Sequence, residues 1–164
     1  MARILIIGCG CRGQMLARAL VAHGHAVRGT TRHSARLPGI EAAGAQARLA
    51  DPDRVATMVP VFEHVTVACV LLGSAKGTDE ERAALHTHRL GAALTKMVDT
   101  TIHGIVYERR GTVARELLSG GAKLVRSFSD RSLAAYAMLD ADPADHEAWV
   151  GAALDAVEHV LEGG

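Results

Sequence analysis

The sequence predicts an α/β fold, a doubly wound parallel sheet of about six strands with helices between them, in a single domain spanning 1–164. Three observations carry this expectation. Short apolar runs alternate with segments of helical spacing, as parallel strands require, because each crossover must return over the sheet. The strongest runs, Ile4–Ile7 and Val67–Leu72, are continuous rather than alternating, which suits central strands covered on both faces. The length of 164 residues suffices for one core and is too small for two.

Ile4–Ile7 reads as the first strand. It stops at Gly8-Cys9-Gly10-Cys11-Arg12-Gly13, and Gln14–Ala22 then shows helical spacing, with Met15, Leu16, Ala19 and Leu20 on one side. Gly24 is placed to end that helix, and Ala26–Thr31 reads as a second strand. Arg32–Glu41 carries a short helical segment, interrupted or capped near Pro38-Gly39, and Ala45–Leu49 is a brief third strand. Asp51-Pro52-Asp53 has the form of a helix start, with Asp51 as cap; Val55, Met58, Val59 and Phe62 form the apolar side, and Pro60 shortens or bends the helix.

His64–Leu72 is the fourth strand and ends at Gly73-Ser74. Thr78 and the acidic residues after it open one long helix to about Met97, with Leu85, Leu90, Leu94 and Met97 inward. Ile102–Tyr107 is a fifth strand, followed by Glu108-Arg109-Arg110-Gly111. Thr112–Leu118 reads as a short helix, Gly120-Gly121 as a break, and Lys123–Arg131 as another helix. Leu133–Leu139 is a sixth strand whose alanines leave a helix open, and His146–Leu161 is the closing helix, with Trp149, Val150, Ala153, Leu154, Val157 and Leu161 at helical spacing.

Strand, glycine turn and helix, in that order, form the arrangement of a dinucleotide site. Gly8 permits the turn, Gly10 lets the backbone approach a pyrophosphate, and Gly13 lets the helix lie close to the strand. Cys11 and Arg12 fill the same turn, where the unpaired helix amides receive negative charge. At the end of the second strand a carboxylate would bind the ribose 2′-hydroxyl of NAD. Here Thr30, Thr31, Arg32 and His33 stand instead. Hydroxyls beside positive charge suit a 2′-phosphate, so NADP is favoured over NAD, with Arg32 and then Arg36 as contacts. Asp51 either approaches the adenine or caps the next helix. Leu72, Gly73 and Ser74 either pass close to the cofactor or only turn the chain.

These pieces (Ile7–Gly13, Thr30-Thr31-Arg32, Leu49–Pro52 and Val70–Ser74) make the chain resemble the nucleotide-binding half of the extended and atypical short-chain dehydrogenase/reductase superfamily, which contains nucleoside-sugar epimerases. The resemblance runs to about Gly111. It implies a parallel-sheet fold, a bound dinucleotide and epimerase- or dehydratase-like character. Its catalytic pattern, a serine or threonine and then a tyrosine with a lysine four residues later, is not met. Tyr107 is followed at that spacing by Gly111 and Tyr136 by Asp140. No catalytic residue is therefore assigned.

Other chemistry is less supported. Lys+Arg and Asp+Glu balance at 18 each, with no basic run, so nothing points to nucleic acid. No apolar stretch approaches the roughly 20 residues that span a bilayer. The opening lacks a signal peptide's long apolar region, and a cytoplasmic protein is the expectation. The three cysteines make a disulfide framework unexpected, and the nine histidines show no zinc spacing. Arg109 and Arg110 stand either as anion binders at the sheet's carboxyl edge or as a solvated turn. A homodimer is an expectation from size alone, since a second copy could cover an apolar helix face. The leading expectation is a small protein binding NADP or NAD, with or without catalysis; the alternative is an interaction module that keeps the fold without nucleotide.

Overall fold

The apolar runs fold into one sheet in the computed structural model, which describes residues 2–163. Its strands are β1 (Arg3–Ile7), β2 (Ala26–Thr31), β3 (Gln46–Leu49), β4 (Val67–Val70), β5 (Gly104–Glu108) and β6 (Ala135–Leu139). They lie in the order β3-β2-β1-β4-β5-β6, and every neighbouring pair is parallel. The order reverses between β1 and β4, so crossovers leave β1 in one direction and β4 in the other. A crevice opens at the carboxyl ends of these two strands, the place where open α/β sheets receive ligands.

The helices are α1 (Cys11–Ala22), α2 (Leu37–Ala42), α3 (Val55–Met58), α4 (Asp79–Leu85), α5 (His88–Met97), α6 (Arg115–Ser132) and α7 (His146–Leu161). Alternation along the strands divides the core between the two faces of the sheet. Ile4, Ile6, Val67, Cys69 and Val106 pack with Leu16 and Leu20 of α1, Ile40 of α2 and Trp149, Ala153 and Val157 of α7. Leu5, Ile7, Ala68, Val70, Ile105 and Tyr107 pack with Met58, Leu94, Met97, Val125 and Phe128 on the other side. Both layers are needed because β1, β4 and β5 are apolar on both faces.

Four local expectations change. The helix expected from Thr78 to Met97 is broken at His86-Thr87, where Thr87 leaves the helical region with φ −123 and ψ −107. The buried His86 ring turns inward there, and the Thr87 hydroxyl donates to the Ala83 carbonyl. Gly120-Gly121 does not break the chain, and α6 runs through both residues. The helical cost of two glycines, about 1 kcal/mol each relative to alanine, is outweighed by packing of Leu118, Ala122, Val125 and Phe128. Asp51 caps no helix: its Oδ1 accepts from the Asp53 amide at 2.9 Å, closing a turn, and α3 begins only at Val55 after Arg54. Val59 faces outward at 44% exposure while Val61 is buried, because the chain tightens into a 3₁₀ turn over Val59–Phe62 at Pro60.

Candidate functional site

The turn between β1 and α1 is built from three glycines with different surroundings. Gly8 has φ +84, and a Cβ there would lie 2.7 Å from the Leu71 carbonyl oxygen, so both conformation and space demand glycine. At Gly13 a Cβ would approach the Gly8 carbonyl and Ile6 at 3.3 Å, which is how closely α1 lies on β1. Gly10 differs: the nearest atom to a Cβ is Nη1 of Arg36, at 3.3 Å, the far end of a flexible side chain. Backbone is therefore accessible at Gly10 and is flanked by a guanidinium.

Helix α1 starts at Cys11, earlier than its apolar spacing indicates, so Cys11, Arg12 and Gly13 form its first turn. The Gln14 amide is bonded to the Gly10 carbonyl at 2.8 Å. The amides of Cys11, Arg12 and Gly13 have no acceptor among the described residues. With no acidic residue in that turn, the helix end presents uncompensated positive potential.

In front of it lies a cleft of about 420 Å³. All of the sequence-derived candidates except Asp51 and Gly73 line it: Gly8, Gly10, Cys11, Arg12, Gly13, Thr31, Arg32, Arg36, Leu72 and Ser74. His33, Lys76 and Trp149 join them, and no carboxylate is among the lining residues. Arg32 spans from the end of β2 to the loop after β4, donating to the Lys76 carbonyl at 3.3 Å and standing 4.0 Å from Asp53. Arg36 sits over the glycine turn rather than beside Arg32's partners. Thr31 turns its hydroxyl to the His33 amide at 3.1 Å, fixing the strand end. Cys9 lies behind the turn, buried, and desolvation pushes its thiol up to about 12; Cys11 is exposed.

Gly73 belongs to the wall beneath. Its amide donates to Oε1 of Glu108 at 2.9 Å, and a Cβ would lie 2.7 Å from the Arg110 carbonyl. Glu108 ends β5 fully buried and also accepts from the Trp149 indole at 2.9 Å, with the Arg12 guanidinium 3.7 Å away. Burial pushes this carboxyl above its ordinary range, and the Gly73 amide, Arg12 and Trp149 oppose the shift. Arg12 also lies over the Trp149 ring, 5.4 Å from its centroid. Glu108 and Trp149 thus hold Arg12 at the mouth of the cleft.

On the opposite face of β5, Tyr107 is fully buried with its hydroxyl 2.6 Å from His86 Nδ1. His86 Nε2 is 2.9 Å from the Leu72 carbonyl. Since a carbonyl only accepts, Nε2 carries the proton, Nδ1 accepts from Tyr107, and the imidazole is neutral. Burial lowers the His86 pKa, with the Leu72 carbonyl opposing, and burial raises that of Tyr107. Tyr107 therefore anchors the loop after β4 and does not reach the cleft.

Sequence reasoning missed Glu108, which reads as the end of an apolar strand, and Trp149, which reads as core. A carboxylate directly after the Ile102–Tyr107 run was the available signal, because an acid at the end of a central strand must find donors. Lys76 and His33 carried no pattern. Among the described residues no three His, Cys, Asp or Glu side chains gather as metal ligands, and no helix is long and apolar enough to cross a membrane.

No protein-family model matches the chain, and no curated protein matches it. Solved structures do. A UDP-glucose 4-epimerase superposes with TM-score 0.70 at 16% identity, covering 83% of this chain and 50% of that one. The UDP-glucose 4-epimerase of Thermotoga maritima gives 0.69 at 12% identity, with 83% and 54% covered. The triphenylmethane reductase of a Citrobacter species, in complex with NADP(H), gives 0.64 at 13% identity, with 84% and 48% covered. At these identities the likeness is one of fold: a six-stranded Rossmann-type sheet. The chain spans about half the length of these proteins.

Proposed function

We propose that this chain binds NADP in the cleft at the carboxyl ends of β1, β2 and β4, with NAD as the weaker ligand, as an epimerase- or dehydratase-like nucleotide domain. The observation that carries this reading is the cleft itself. Free first-turn amides of α1 open onto a space bordered by Arg12, Arg32, Arg36 and Lys76 and by no acid. A diphosphate over Gly10 would accept from those amides and from Arg36. A 2′-phosphate beyond β2 would meet Arg32, where an NAD site would place a carboxylate. Thr31, Leu72 and Ser74 would border the riboses, and Asp51 would lie near the adenine end. Neighbours of the same fold were crystallised with NAD or with NADP(H), which supports a dinucleotide.

When bound, the nicotinamide supplies hydride exchange with a carbonyl or alcohol. What this chain provides is binding, orientation and charge. Neither Tyr107, locked to His86, nor Tyr136 has a lysine at the family spacing, so an acid–base role for either has no support.

Titration with NADPH and NADH tests the reading. Wild type is expected to hold NADPH at least tenfold more tightly, and Arg32→Ala to lose about 10–100-fold toward NADPH with little change toward NADH, the value of a charged hydrogen bond. Equal affinity for both, unaffected by the substitution, would remove the 2′-phosphate assignment. Absence of binding by either nucleotide at millimolar concentration would leave the interaction-module reading.

A further inference from the structure

A second groove, of about 570 Å³, opens off the first along the same carboxyl edge and shares Arg12, Ser74 and Lys76 with it. Its far wall is Arg110, Gly111, Thr112 and the 142–144 segment after β6. The adjacent arginines that follow β5 divide here. Arg109 is engaged: Nε and Nη2 donate to the two carboxylate oxygens of Asp140 at 2.8 and 2.7 Å. Arg110 is only loosely paired: it stands 3.7 Å from Asp142 and makes no side-chain hydrogen bond among the described residues.

Other donors around the groove are also incompletely matched. Lys76 offers an ammonium with no carboxylate within pairing distance among the described residues. Arg12 keeps a buried Nε without an acceptor. Ser74 accepts the Thr112 amide at 3.3 Å, which leaves its single hydroxyl proton available. Charged side-chain donors on Arg12, Lys76 and Arg110 therefore outnumber the carboxylates, and Asp142 is the one carboxylate among the lining residues. A groove so furnished selects an anion, because each unmatched donor gains a charged acceptor while a neutral ligand leaves the donors unpaired.

We propose that this groove is the substrate site and that it takes a small oxyanion, a carboxylate or phosphate group, clamped between Arg110 and Lys76 beside the nicotinamide end of the cofactor. As a substrate site it rests on the nucleotide reading; as an anion site it stands on the donor arrangement alone. Arg110 is the anchor, and Asp142 is the internal acceptor that the ligand displaces.

The test is amide chemical-shift titration with malonate in one arm and inorganic phosphate in another, each with and without saturating NADPH. Saturable shifts are expected at Gly111 and Thr112 in at least one arm, and the arm that binds tells carboxylate from phosphate. Arg110→Ala should weaken binding tenfold or more. Asp142→Asn should tighten it several-fold, an opposite change that a structural role for the pair would not produce. Both positions are more than half exposed, so folding is preserved. No shift at 111–112, shifts confined to the Gly10–Gly13 turn, or the same affinity in both variants would overturn the proposal. Failure of NADPH to bind, with anion shifts retained at Thr112, would defeat the nucleotide reading and the substrate role while leaving the anion site.

Discussion

Gly121→Ala is expected to destabilise the protein by about 2–3 kcal/mol, whereas Gly120→Ala, one residue earlier in the same helix, stabilises it by about 0.5–1 kcal/mol. The opposed signs follow from what each new methyl meets. At Gly120 nothing lies within 4 Å, so alanine contributes only its better helix propensity. At Gly121 a Cβ would collide with the Tyr107 hydroxyl and lie 2.6 Å from its ring carbon Cζ. Tyr107 cannot retreat, being fully buried and tied to His86. Adding Tyr107→Phe to Gly121→Ala removes the colliding oxygen but not Cζ, so the double variant recovers part of the loss. Chemical denaturation of the four proteins measures all of this. Equal effects at 120 and 121 would show that α6 does not pack on β5 as described. The collision also reaches the cleft, because Tyr107 holds His86 and His86 holds the Leu72 carbonyl.

The second large effect belongs to Glu108. Truncation to alanine strands two buried donors, the Trp149 indole and the Gly73 amide, at about 1–3 kcal/mol each. Arg12 adds less, since its side chain is 25% exposed and its charge can turn to solvent. A total near 3 kcal/mol follows, a fall in Tm of about 6–12 °C for a domain of this size. Glu108→Gln keeps one acceptor oxygen and should lose roughly half as much. Both variants release Arg12 and loosen the loop at Gly73, so NADPH affinity should fall with stability. A thermal melt of Glu108→Ala within about 1 kcal/mol of wild type would mean that the carboxylate is not the acceptor shared by β5, α7 and the loop after β4.

Much of this arrangement was legible in the sequence, and the physical reasons differ by element. β2 and α7 fall at Ala26–Thr31 and His146–Leu161, the bounds that composition and helical spacing give, because each is set by local apolar pattern and a clear break on either side. The fold class followed from alternation together with the continuous apolar runs. What local pattern could not show was tertiary compensation. The two glycines of α6 look like a helix break until Tyr107 is seen to need the space at Gly121, while Gly120 faces open space. The helix expected through His86 looks continuous until the ring is seen bonded to Tyr107 and Leu72. Among the residues that line the cleft, the glycine turn and Arg32 were legible from spacing. Glu108 and Lys76 were not, since their importance lies in which loops the sheet brings together. Asp51 had two readings, and its turn with Asp53 is what the structure shows.

The central claim is that a dinucleotide lies over Gly10, and its most direct measurement is NADPH titration of Gly10→Val beside wild type. Gly10 has φ −83 and ψ −153, an extended conformation with negative φ that does not demand glycine, and only the end of Arg36 is near its Cβ position. The variant should therefore fold, with about 1 kcal/mol lost at the helix cap. Its side chain would occupy the space of the diphosphate, and NADPH affinity should drop at least 100-fold. Wild-type affinity in a folded Gly10→Val protein would contradict the account and move the nucleotide, if it binds at all, away from the glycine turn.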